Sequence, residues 1–109
     1  MSITLVGSTY DGGSLAAYET VSVNFTGGNW TGGTVQENDV VVLIATCRGS
    51  IADESLPFTI NTSGYTVDTN NPIRADDDFK TYHMVAHKVM GSTPDTSVSV
   101  TQFSNSSTY

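Results

Sequence analysis

Positive charge is scarce in this sequence. Arg48, Arg74, Lys80 and Lys88 are its only fixed cations against eleven Asp and Glu residues, for a formal net charge of −7 over 109 residues. With no basic stripe to neutralise a phosphate backbone, direct binding of nucleic acid is not expected. Cysteine is almost absent: Cys47 stands alone and has no partner for an internal disulfide, as suits a reducing compartment. Long apolar runs are missing too, so no membrane-spanning helix is expected. The opening Met1-Ser2-Ile3-Thr4-Leu5-Val6 lacks the basic segment and apolar stretch of a secretion leader. These absences together predict a chain made and folded in a cytoplasm, with no membrane partner. The matches to the glycosylation pattern at Asn24, Asn29, Asn61 and Asn105 are what a Ser/Thr/Asn-rich chain produces by chance, and they are set aside.

Charged residues are only 14% of the chain, below the roughly 25% of an average globular protein. Ser, Thr, Asn and Gly fill the gap. Disorder is not implied, because Val, Ile, Thr, Tyr and Phe recur in blocks with strand periodicity. The length suits one core, and residues 1–109 are read as a single domain.

Along the chain, Ile3 to Val6 is read as starting a first strand, followed by a turn signal at Asp11-Gly12-Gly13. Val21, Val23 and Phe25 alternate with Ser22 and Asn24, a strand with one buried face. Gly27-Gly28 and Gly32-Gly33 bracket Asn29-Trp30-Thr31 in a loop. From Val40 to Ala45 every residue is apolar, which predicts a central strand buried on both faces. The segment from Ile51 to Leu56 reads as a loop or a helical turn closed by Pro57. Phe58 to Val67 holds two short strands or one bent strand. Asp68 to Asp78 reads as a polar loop, Tyr82 to Met90 as a strand, and Val98 to Val100, with Phe103, as the last strand. Many short strands between Gly, Pro, Asn and Asp, without amphipathic helices, predict an all-β, antiparallel fold: a β-sandwich, jelly-roll-like or Ig-like.

Chemistry-bearing motifs are weak. His83 and His87 have the spacing of a zinc-protease pair, but Met84 stands where that motif needs Glu, and on a strand they lie roughly 13 Å apart. Asp76-Asp77-Asp78, with Asp68 and Asn70 nearby, offers oxygen ligands without the alternation, Gly and closing Glu of a calcium loop. Cys47 has no local signature linking it to a base. No nucleophile elbow or phosphate-binding Gly-rich loop occurs. The expectation is therefore no enzyme, no cofactor and no metal site.

Asn38-Asp39 before the strand Val40-Val41-Val42-Leu43-Ile44-Ala45, then Gly64-Tyr65-Thr66, then Tyr82-His83-Met84-Val85-Ala86-His87-Lys88-Val89, follow one another in a distinctive order. This order resembles a β-sandwich domain of bacteriophage virion structural proteins, of the capsid-decoration or tail/head-fibre type, over about two-thirds of the chain. The sequence departs from that pattern at Asn38, where Gly is usual, and at Tyr65, where Trp is usual. The pattern continues with another strand beyond the position of Tyr109, so an open sheet edge beside Val98–Val100 is expected, to be covered by a neighbouring subunit or another particle protein. The resemblance implies a structural component of the virion, made in the host cytoplasm, that binds other capsid or tail proteins and forms homo-oligomers. The alternative is a carbohydrate-binding module or receptor-binding adhesin. Trp30, Tyr65 and Tyr82 are the candidate contacts to a protein partner or a glycan, with Trp30 equally able to fold down as a lid on the sandwich.

Overall fold

Alternation of small polar and β-branched residues resolves into eight antiparallel strands in a computed structural model that describes residues 3–11, 19–49, 58–73 and 80–102. They are β1 (Gly7–Ser8), β2 (Thr20–Asn24), β3 (Thr31–Gly32), β4 (Val40–Gly49), β5 (Phe58–Ile60), β6 (Thr66–Ile73), β7 (Lys80–Val89) and β8 (Ser97–Gln102). No helix occurs among the described residues. Two three-stranded sheets, ordered β2-β8-β5 and β4-β7-β6, pack face to face, and a small β1-β3 ladder accompanies them. The fold is an all-β, sandwich-like one.

The core lies where the two inner faces meet. Phe25, Phe58, Val98 and Val100 come from the first sheet and its continuation, and Leu43, Met84 and Ala86 from the second. Met84 and Ala86 are fully buried because β7 is the central strand of its sheet. Burying a side chain such as Met84 contributes about 1.5–3 kcal/mol. In β8 the inward set Val98, Val100 and Gln102 alternates with Ser97, Ser99 and Thr101, the period-2 pattern legible in its sequence.

Five expectations are corrected. Ile3 to Val6 is not the first strand; β1 is the pair Gly7–Ser8, and Ile3 and Leu5 stand in solvent. The apolar run Val40 to Ala45 is not buried on both faces: Val41, Leu43 and Ala45 turn toward the core while Val40, Val42 and Ile44 point out. Asp68 to Ile73 is not loop but part of β6, an outer strand that tolerates Pro72 because its far side needs no ladder partner. The strand at Val98–Val100 does not border an open edge, since β8 lies between β2 and β5. The segment between Gly27 and Gly33, read as loop, also carries β3, which pairs Gly32 with Gly7 and Thr31 with Ser8. The expectations for 51–57, for Asp76 to Asp78 and for Phe103 lie outside the described residues.

Two turns have local causes. Asn38 has φ 71°, a left-handed conformation that Asn tolerates better than most residues, just before β4 begins. Gly64, at φ 90°, separates β5 from β6 and sends them into different sheets. Trp30 closes one end: its ring meets Phe25 edge-on at 6.1 Å, and its indole N–H donates to the Gly33 carbonyl at 3.1 Å. Gly7 is required beneath it, because a Cβ there would collide with the indole and with the Thr31 carbonyl.

Gly7→Ala is therefore expected to lower stability by about 1–3 kcal/mol, by overpacking the Trp30 lid. Trp30 is the chain's only tryptophan, so its fluorescence during urea unfolding checks this directly. An unchanged midpoint and an unchanged emission maximum would contradict the packing described.

Candidate interaction surface

The outward faces of the two sheets differ in kind. On β2-β8-β5 the outward residues are Ser, Thr and Asn, joined in a hydrogen-bonded lattice. Thr20 Oγ1 lies 2.7 Å from Thr101 Oγ1, and the Asn61 side-chain amide donates to Thr101 Oγ1 at 2.9 Å and to Ser99 Oγ at 3.2 Å. Such a face is at ease in water. On β4-β7-β6 the register places Val40 opposite Val89, Val42 opposite His87, Ile44 opposite Val85 and Thr46 opposite His83, all on the outer side. Val40, Val42, Ile44 and Val89 are 59%, 62%, 68% and 57% exposed. Four large aliphatic side chains on one sheet face form an apolar patch of the kind that marks an interaction site.

Polar groups frame the patch on the β6 side. The irregularity between Val67 and Thr69 is a bulge at Asp68, which turns the Asp68 carboxylate toward His87, 2.7 Å from its Nδ1. His83 lies one register step beyond Val85 on the same face, its Nδ1 buried with no hydrogen-bond partner among the described residues. His83 and His87 are thus separate groups along one strand. Among the described residues no cluster of three or more His, Cys, Asp or Glu is arranged to hold a metal.

On the other side of the sheet, a second polar group ties β7 to the loop before β8. The Lys88 ammonium donates to Asp95 Oδ2 at 2.6 Å and to the Ser63 carbonyl at 3.0 Å, and sits 5.7 Å from the Tyr65 ring centre. The Tyr65 hydroxyl is buried without a partner among the described residues. Burial, and secondarily the Asp95 carboxylate, push its pKa from 10.0 up to about 12.

The aromatic residues singled out from sequence sit on different elements. Trp30 packs as the lid described above, with part of its ring exposed. Tyr65 leans on the core and on Lys88. Tyr82 belongs to β7, at the position opposite Cys47 on β4 and Pro72 on β6. The patch of Val40, Val42, Ile44 and Val89 was not recognised from sequence. A signal for it was present in β7: His83 and His87 alternate with Met84 and Ala86, which marks the β7 face opposite the core as one that meets water, and β4 must share that face.

Tyr65 yields a pH prediction. Because its folded pKa lies above its unfolded value, the folded state holds the proton more tightly; stability is unaffected below pH 10 and falls as pH rises from 10 toward 12. Tyr65→Phe removes both this alkaline loss and an unpaired buried hydroxyl, and is expected to leave stability at pH 7 unchanged or raised by about 1 kcal/mol. Urea midpoints of both forms between pH 7 and pH 11.5 check it; a variant strongly destabilised at pH 7 would mean that the hydroxyl has a partner.

Comparison with protein-family models, with curated proteins and with solved structures returned no match for this chain.

Proposed function

We propose that this chain is a non-enzymatic structural component of a bacteriophage particle, a capsid-decoration or fibre domain that binds other virion proteins through the outer face of β4-β7-β6. The observation that carries this reading is the contrast between the two outer faces. One is a hydrogen-bonded Ser/Thr/Asn lattice. The other exposes Val40, Val42, Ile44 and Val89 together. On a monomer in water that exposure is a liability, and covering it against a neighbour recovers roughly 25 cal/mol per Å² of apolar surface removed from solvent. Apart from the two histidines, the described outward residues of β4 and of the central strand β7 are uncharged, which fits a protein partner.

The residues that carry the resemblance to phage virion domains also converge in space. Asn38-Asp39 lead into β4, Gly64-Tyr65-Thr66 lead into β6, and Tyr82 to Val89 form β7, so all of them build the one sheet that bears the apolar face. The carbohydrate-binding alternative draws less from the geometry, since Trp30 and Tyr65 spend much of their ring surface on Phe25, Gly7 and Lys88. In this reading the protein is synthesised in the host cytoplasm and resides in the assembled virion.

Incorporation into particles is the test. Purified particles are expected to contain the chain in stoichiometric amounts, and Val89→Lys is expected to lower incorporation at least about tenfold while changing stability by no more than about 0.5 kcal/mol, as for an exposed position. Quantitative mass spectrometry of purified particles reads the first, thermal unfolding the second. Particles devoid of the chain would sink the proposal.

A further inference from the structure

The two outer strands of the β4-β7-β6 sheet are defended very differently. Along β6 a bulge at Asp68, the charge of Asp68 itself and Pro72 interrupt the row of backbone groups that another strand would pair with. These are the devices by which sheet edges avoid edge-to-edge association. Along β4 the one such device is the charge of Arg48, near the end of the strand. Its ten residues Val40–Gly49 pair with β7 without a register shift, contain no Pro, Lys, Asp or Glu, and have no strand on their other side among the described residues. The strand is long and without a register shift, and it is apolar from Val40 to Ala45.

We infer that the free edge of β4 pairs with β4 of a second copy of this chain, antiparallel and about a two-fold axis, to give one continuous six-stranded sheet. This deepens, and rests on, the reading of the chain as an assembling structural protein. The choice of a second copy follows from symmetry and charge. A two-fold axis that runs two β4 strands antiparallel stands perpendicular to the sheet, so outer face continues as outer face and core face as core face. With the axis at Leu43, Val42 of each copy lies opposite Ile44 of the other, and Val40 opposite Thr46. The two apolar patches then merge.

Charge complements this arrangement. The chain carries −7, so two copies repel each other over most approaches. At β4 the strand's one charged residue is Arg48, and Asp39 precedes its first residue. Antiparallel pairing about Leu43 sets position 48 of one copy opposite Asn38 of the other, next to Asp39, twice by symmetry. A cationic position thus comes near Asp39, whose carboxylate also accepts from the Gln36 backbone N–H at 2.8 Å, at both ends of the paired strands.

The experiment combines light scattering after size-exclusion chromatography with amide hydrogen exchange, on the full chain at several concentrations. The expected result is a species of twice the 11.6 kDa chain mass, with exchange slowed along β4 as concentration rises and unchanged along β6. Ile44→Lys, a 68% exposed position near the axis, is expected to weaken the dimer at least about tenfold with the unfolding midpoint of the monomer retained. Thr66→Lys, exposed on β6, is the control and leaves the dimer intact. A monomer at all concentrations overturns the inference, whether its β4 amides exchange freely or are protected by another part of the same chain. A dimer without concentration-dependent protection of β4 overturns it too, because the copies then join elsewhere. None of these failures touches the particle-incorporation reading, which Val89→Lys tests on the central strand, away from the edge.

Discussion

The structure depends on β7 being hydrogen-bonded on both sides. Ten residues of β4 and seven of β6 take their register from it. Its inward residues Met84 and Ala86 are the most deeply buried of the second sheet, and they are what the first sheet packs against. Once that strand is fixed, its outward residues are fixed as well, because side chains alternate along a strand. His83, Val85, His87 and Val89 then define a face over which no strand of the described residues packs, and β4 has to present Val40, Val42 and Ile44 beside them. The apolar outer surface is a consequence of where β7 sits.

Much of this was legible in the sequence. The all-β class follows from period-2 alternation, and β2, β7 and β8 lie close to where their apolar residues place them. The run Val40 to Ala45 shows where legibility ends. A fully apolar strand reads the same whether its second face is covered by protein or left for a partner, and only the placement of β4 at the edge of a three-stranded sheet separates the two. Asp68 to Ile73 was misread for a related reason: bulges and proline suit an outer strand, but in sequence they are indistinguishable from a loop. Neither the Lys88, Asp95 and Tyr65 group nor the pairing of Asp68 with His87 was foreseen, since both join residues brought together only by the pairing of β6 with β7 and the return of the chain into β8.

Asymmetry recurs at each level of the molecule. One sheet turns a polar lattice to solvent and the other an aliphatic patch. Within the second sheet, one outer strand is guarded and the other bare. Trp30 closes one end of the core, so the aromatic residue most suggestive of an external contact is engaged internally. In the proposed reading of the chain as a component of an assembly, the apolar face and the β4 edge, which has no further strand beside it among the described residues, are both surfaces for other proteins to cover.

The most direct measurement is an electron cryo-microscopy reconstruction of the native assembly at a resolution that traces strands. The account predicts the outer face of β4-β7-β6 buried against a neighbouring particle protein or a second copy, with the Ser/Thr/Asn face of β2-β8-β5 turned to solvent. A reconstruction in which Val40, Val42, Ile44 and Val89 face open solvent, while contacts run through the polar face, would contradict it.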